Sequence, residues 1–267
     1  MPENNQNKLF LLDMYALIYR SYFAFIRTPR FNSKGLNTSA MLGVTNTIIQ
    51  LLEKERPNFV GAVFDVSAPT FRHEMYSEYK ANRDAMPEDL RKSIPYIRKI
   101  IEGFNIPIIE KAGFEADDVI GTLAKKAEKE GLTTYMMTPD KDYMQLVSDN
   151  IFMFKPGKGG GDAEVWGLPE VQEKFGIETA DQVIDILGLM GDSADNIPGC
   201  PGVGPKSAQK LISDFGNIDG IYQNTDKLKG KQKEKIIEFE EQVRLSRKLA
   251  TIILDVPIEF DTKKLTR

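Results

Sequence analysis

Short apolar runs that end in an acidic residue recur along the first half of this chain. Lys8-Leu-Phe-Leu-Leu12 runs into Asp13 and Phe59-Val-Gly-Ala-Val-Phe64 into Asp65. Each predicts a buried strand, because a strand covered on both faces needs no polar alternation. Between them Met41, Val44, Ile48, Ile49 and Leu52 repeat at helical spacing behind a cap at Asn37 or Thr38, and the pattern stops ahead of Pro57. The motif returns with a strand at 106–109, a helix over 116–130 closed by Gly131, and a strand at 133–137 that runs into Thr138-Pro-Asp140. This alternation predicts an α/β fold with a mostly parallel sheet and helices on both faces.

Residues 66–111 depart from that pattern. Ser67-Ala-Pro-Thr-Phe-Arg72 leads to Tyr76, Tyr79, Lys80 and Arg83, and Leu90, Ile94, Ile97 and Ile101 then follow at helical spacing from Pro87. A long excursion above the carboxyl edge of a sheet predicts a lid. Lys80 and Arg83 are spaced to share one helical face with tyrosines beside them, which suits the phosphates and bases of a nucleic-acid strand; a solvated amphipathic helix would show the same spacing. After Lys155-Pro-Gly-Lys-Gly-Gly-Gly161, which reads as a flexible loop, the chain becomes almost wholly helical, and a domain boundary is expected within 160–185. In that second part, Pro198-Gly199-Cys-Pro-Gly202-Val203-Gly204-Pro-Lys206-Ser207 precedes a helix over about 205–215. Its Gly-Val-Gly turn can present backbone N–H groups to a phosphate without reading a base. The Walker spacing is absent, so a helix-hairpin-helix backbone clamp describes it better. Alternating lysines at 227, 229, 231, 233 and 235 read first as a solvated loop and helix start, with phosphate attraction as a second reading.

Composition narrows the chemistry. With 267 residues, 41% hydrophobic and 28% charged, the chain can bury one substantial core and a smaller satellite domain. No apolar stretch is long enough to span a bilayer and the N-terminus lacks a signal pattern, so a cytoplasmic protein is expected. The single Cys200 excludes an internal disulfide, and together with the single His73 it cannot supply a structural zinc site. His73 lies in Phe-Arg-His-Glu without a serine elbow and reads as a surface or capping residue. Carboxylates, lysines and arginines therefore remain to do the chemistry.

Nine carboxylates stand in short clusters: Asp13, Asp65, Glu115, Asp117, Asp118, Asp140, Asp142, Asp192 and Asp195. An aspartate after a strand is often a turn or cap, and acids in a first helical turn favour the macrodipole. Caps, however, have no reason to face one point, and in an open parallel sheet the strand ends that carry Asp13, Asp65 and Asp140 do. A shared cation site is the expectation. With those nine neutralised, the formal charge moves from −4 to +5, so an acidic chain can still hold nucleic acid.

Together, Leu-Leu-Asp13 with Arg20, Val-Phe-Asp65, Phe71-Arg72, Tyr79-Lys80-Ala-Asn-Arg83, Glu115-Ala-Asp117-Asp118, Thr-Pro-Asp140-Lys-Asp142 and Gly191-Asp192-Ser-Ala-Asp195-Asn196-Ile-Pro-Gly resemble the structure-specific 5′-nucleases. That family includes the flap endonucleases and the 5′-to-3′ exonuclease domain of bacterial DNA polymerase I. The likeness runs from about residue 8 to 260. Lys141, Tyr143 and Cys200 look like permitted variation, and the glycine-rich stretch 157–161 is longer than the family pattern. The resemblance implies a PIN-like domain over 1–171 with a helical arch at about 66–103, then a helical domain over 172–267 with its clamp at about 186–225. It implies two Mg²⁺ ions, replaceable by Mn²⁺. Asp13, Asp65, Glu115 and Asp117 would lie nearest one ion, and Asp118, Asp140, Asp142, Asp192 and Asp195 around the other. Lys80, Arg83, Arg20 and Arg72 would offset phosphoryl charge. Tyr76, Tyr79, Gly199, Gly202, Val203, Gly204, Lys206 and Ser207 would contact DNA, with K⁺ held by loop carbonyls in the clamp.

The implied substrate is branched or nicked double-stranded DNA with a 5′ flap or end, RNA primer ends included, cut by a monomer to leave a 5′-phosphate and a 3′-hydroxyl in primer removal and repair. No membrane partner is expected. The stretch from Leu249 to Pro257 resembles the lead toward a polymerase, and ending at Arg267 suggests an excised domain. A small ribonuclease of related topology would need fewer acids and no clamp, and a DNA-binding module would not need all nine acids. An Asp-x-Asp phosphatase fails, since Met14 and Tyr15 follow Asp13.

Overall fold

Alternation within the first strand sets the layout. In the computed structural model, which describes residues 7–157 and 161–267, β1 (Lys8–Asp13) sends Leu9 and Leu11 into one core and Phe10 and Leu12 into another. Among the described residues the sheet has six strands in the order β3-β2-β1-β4-β5-β6, with β2 (Phe59–Val63), β3 (Ile108–Ile109), β4 (Thr133–Met137), β5 (Ile151–Lys155) and β6 (Glu164–Trp166). All neighbours are parallel except β5 and β6. Asp13, Asp65 and Asp140 therefore share one edge, as the strand pattern implied. The terminal pair β5 and β6 went unread in the sequence, and the glycine loop expected to be flexible lies, at 158–160, outside the described residues.

One face is covered by α1 (Met14–Ala24), α2 (Ser39–Gln50) and α4 (Glu88–Gly103), and the other by α5 (Ala116–Lys129). Here the lid expectation needs correcting. Leu90, Ile97 and Ile101 are buried in the same core cluster as Phe10 and Leu12 of β1, so 88–103 is a sheet-covering helix rather than an arch. Its apolar stripe has a core to fill. Between α3 (Phe71–Met75) and α4 the chain forms turns, and Lys80 adopts a left-handed backbone at φ +56°, so no helix aligns it with Arg83.

The second part consists of α6 (Leu168–Phe175), α7 (Gln182–Met190), α8 (Pro205–Phe215), α9 (Ile218–Gln223), α10 (Gly230–Glu238) and α11 (Glu240–Ala250). The boundary expected at 171/172 falls inside α6. Leu9, Val119, Ile186, Leu211 and Leu249 belong to one continuous apolar cluster, so sheet and helical domain are packed through a shared core. The segment after α11 runs back along α5: Ile253 N–H donates to Asp118 at 2.8 Å and Val256 N–H to the Thr122 hydroxyl at 3.2 Å. It ends at α12 (Thr262–Leu265), beyond which Arg267 N–H donates to the Asn58 carbonyl. Among the described residues, no helix is long and apolar enough to cross a membrane.

Candidate active site

The site is assembled from strand ends. At the end of β1 the chain turns directly into α1, and one Asp13 oxygen accepts from Ala16 N–H at 3.2 Å as its cap. The other accepts from the hydroxyls of Thr138 at 3.0 Å and Tyr143 at 3.2 Å. All three donors are neutral. Burial, and then the negative charge of Asp65, push the Asp13 carboxyl up to about 7. Asp65 accepts from Ala116 N–H at 2.9 Å and is also raised, chiefly by burial. Asp117 stands in the first turn of α5 and is raised by burial, with Asp118 and Glu115 adding to the effect and Arg72 opposing it. Past β4, Asp140 accepts from Asp142 N–H at 3.1 Å. Burial raises both Asp140 and Asp142, and Asp142 is raised further by the charge of Asp140. Asp142 Oδ1 is buried with no hydrogen-bond partner. None of these five makes a salt bridge among the described residues.

The other four acids are paired. Lys80 Nζ lies 2.8 Å from Glu115 and 3.5 Å from Asp195. Arg83 pairs with Asp195, and the Tyr79 hydroxyl donates to Glu115 at 3.0 Å and to Asp195 at 3.1 Å. Burial works against charge at Asp195, yet Lys80 and Arg83 hold it below the usual carboxylate range. Lys141 reaches Asp192 at 2.7 Å. Arg72, 1% exposed, grips Asp118 through two hydrogen bonds of 2.7 and 2.8 Å and donates to the carbonyls of Leu249 and Thr251.

A seam joins the turn at 78–83 to the loop at 193–196. Lys80 N–H donates to the Asp195 carbonyl at 2.9 Å, Asn82 to the Ser193 carbonyl at 2.7 Å, and Asn196 to the Glu78 carbonyl at 2.6 Å. Lys80 and Asn196 meet there in matching left-handed conformations at φ +56°. The loop is fixed at its base by Gly191 and Gly199, both at positive φ; a Cβ on Gly199 would stand 2.3 Å from the Gly191 nitrogen. Asp192 and Asp195 of the helical domain are thereby brought to the sheet edge.

Several expected site residues are placed elsewhere. Arg72 and Asp118 are sealed in their mutual pair, so neither faces the crevice as a phosphate or cation ligand. Arg20 donates to the carbonyls of Pro156 and Gly157, both at 2.7 Å, and so ties α1 to the end of β5. Tyr79 is 3% exposed and cannot offer its ring to a base, while Tyr76 is half-buried against the core. In the hairpin, Val203 is buried and its N–H is taken by the Cys200 carbonyl. Gly202 turns at φ +86°, Gly204 caps α8, and Lys206 and Ser207 lie in that helix's first turn, where N–H groups have no intrahelical acceptor. His73 takes the capping role, with Nδ1 3.1 Å from Thr70 N–H. Thr138, Tyr143, Lys141, Asn82 and Asn196 complete the crevice, and none of them was given a role from the sequence. The position of Thr138 and Lys141 beside Asp140 was the available signal.

Among the described residues, no three acids converge as a ready-made cage for a cation; Lys80, Arg83 and Lys141 supply the countercharge instead. An orphaned Asp142 oxygen, five carboxylates without a salt bridge and an all-oxygen donor set nonetheless fit hard divalent cations.

Acids at the carboxyl edge of a parallel sheet, faced by a hairpin-bearing helical domain, define the class: a nuclease built on a resolvase-like sheet. The family model described as 5′-3′ exonuclease, N-terminal resolvase-like domain, matches residues 8–176, and that described as 5′-3′ exonuclease, C-terminal SAM fold, matches 178–267. The chain belongs to the 5′-3′ exonuclease family. It is 41% identical over 261 residues to DNA polymerase I of Bacillus subtilis, covering 97% of this chain and 29% of that protein. It is 38% identical over 257 residues to a 5′-3′ exonuclease of Aquifex aeolicus, covering 96% and 86% respectively. The chain thus spans under a third of the polymerase. The fold is shared with a T5 5′-exonuclease structure containing bound zinc, at TM-score 0.74 and 24% identity over 91% of this chain and 89% of that one.

Proposed function

We propose that this chain hydrolyses DNA phosphodiester bonds at 5′ ends and 5′ flaps, with Mg²⁺ as its working ion and Mn²⁺ as a substitute. The carrying observation is the set of five acids at the sheet edge, Asp13 buried, Asp65, Asp117 and Asp142 half-buried and Asp140 exposed, none of which makes a salt bridge among the described residues. Asp13, Asp65 and Asp117, with Glu115, would hold one ion; Asp140 and Asp142, with Asp192 and Asp195, would hold the other. Bound divalent ions supply a hydroxide at neutral pH and offset charge on the scissile phosphate.

The chain's own groups do the rest. Thr138 and Tyr143 orient the Asp13 carboxylate, and Arg72 fixes the start of α5 through Asp118, which accepts from Glu115 N–H at 3.2 Å. Lys80 and Arg83 exchange their carboxylate partners for the substrate phosphate and steady the charge that develops there. The hairpin holds the duplex through Gly204 and the first turn of α8, with Lys206 adding charge, and hairpin carbonyls would hold a K⁺ that offsets phosphate charge. Likeness to part of DNA polymerase I fits work beside a polymerase, removing primers and repair flaps.

The test is cleavage of a 5′-flap DNA with and without Mg²⁺, in the wild type and Asp140→Asn. Mg²⁺-dependent products bearing 5′-phosphate, absent in the variant, are expected. Cleavage that survives either chelation or the substitution would overturn the assignment.

A further inference from the structure

Trp166, the single tryptophan of the chain, lies on the edge strand β6 with Lys155 Nζ 3.5 Å from its ring centroid and Lys174 Nζ of α6 at 4.9 Å. Lys174 also reaches over Phe175 at 5.6 Å. Neither lysine makes a salt bridge among the described residues. Glu164, the acid whose charge acts on Lys155, is engaged by the Trp166 indole N–H at 3.2 Å. Burial and then Lys174 depress the Lys155 ammonium, while burial and then Lys141 depress that of Lys174.

Lys155 and Lys174 share the Trp166 ring as a platform. β5 is parallel to β4, so Lys155 stands at the same carboxyl edge as Asp140. The charge of Lys141, which is paired with Asp192, is felt at Lys174. Cations seated on an aromatic platform beside one another, with no salt bridge to hold them, are favourable sites for an arriving anion. A phosphodiester backbone offers such anions at regular intervals.

We propose that Lys155 and Lys174, spaced by the Trp166 indole, bind phosphates of the substrate DNA as it continues from the crevice toward β6. This rests on the nuclease reading above and assigns it a second phosphate contact, separate from the hairpin. The alternative is that these lysines only blunt an exposed sheet edge, in which case DNA affinity would not depend on them.

Binding of 5′-flap DNA is measured as a function of salt, with the emission of Trp166 recorded alongside. In the wild type the emission changes as DNA binds and returns at high salt. For Lys155→Ala with Lys174→Ala, the slope of log affinity against log salt falls by about 1 unit for each lysine, and the emission change is lost. Arginine at both positions restores the slope. An unaltered slope in the double alanine variant, or a Trp166 emission indifferent to DNA, would overturn the proposal. Flap cleavage by the wild type is scored separately: DNA that binds through these lysines but is never cut would defeat the nuclease reading and leave this site standing.

Discussion

The two sides of the acidic crevice treat charge in opposite ways. At the sheet edge, Asp13, Asp65, Asp117, Asp140 and Asp142 have only neutral hydrogen-bond donors or none, and Asp13 rises to about 7. Along the seam and beneath it, Glu115, Asp118, Asp192 and Asp195 each have a lysine or arginine. Carboxylates that are nine apparent equals in the sequence divide into those that no lysine or arginine pairs with and those that are tied to a cation of the chain. Within the second group the pairs differ again. Arg72 and Asp118 are almost wholly inaccessible, whereas Lys80 and Arg83 are 20% and 52% exposed at their side chains and can change partners.

The largest effect should come from the edge. Asp142→Asn removes an uncompensated carboxylate and should lower flap cleavage by about a thousandfold or more, as expected when a metal and its transition-state stabilisation are lost; steady-state kinetics at saturating DNA check it. Lys80→Ala comes next, with turnover falling about a hundredfold and DNA affinity much less, read from single-turnover rates and binding in parallel. Equal losses in both would make Lys80 a binding residue alone.

Arg72→Ala should sharpen the contrast through stability. It leaves Asp118 buried and unpaired, at a cost of about 3–5 kcal/mol in denaturant unfolding. Arg83→Ala, which removes a half-exposed cation and leaves Asp195 beside Lys80, should cost under about 1 kcal/mol.

A smaller effect is the pH dependence of the metal-free protein. The folded Asp13 keeps a proton that the unfolded chain, with its ordinary carboxylate near 3.8, has released. Its contribution to stability therefore declines as pH rises from about 4 to about 7. Asp195, held low by Lys80 and Arg83, contributes in the opposite direction and weakens as pH falls. Thermal unfolding across this range should show the Asp13 component disappear in Asp13→Asn.

What could be read in advance follows from what is local. Buried strands announce themselves as apolar runs, and an acid at the end of each falls on the carboxyl edge by topology, so the acidic set was legible. Its division was not. Asp118 is neutralised by Arg72, which is 46 residues away in sequence and held by carbonyls 177 and 179 residues further along the chain, and no spacing rule carries that. The stripe at Leu90, Ile97 and Ile101 suits a lid or a sheet-covering helix equally, and only the available core decides between them. Lys80 and Arg83 kept the spacing of a helical face, but a left-handed Lys80 brings them to Asp195 by a turn.

The central claim is that the sheet-edge carboxylates are uncompensated until divalent ions bind. Its most direct measurement is the thermal unfolding of chelated protein titrated with Mg²⁺, for the wild type and Asp142→Asn. The wild type should gain stability with Mg²⁺, by about 2.7 kcal/mol when the ion reaches a hundred times its dissociation constant. The variant should melt higher than the wild type without Mg²⁺ and gain less from it. A wild type indifferent to Mg²⁺, or a variant that melts lower in chelator, would contradict the claim.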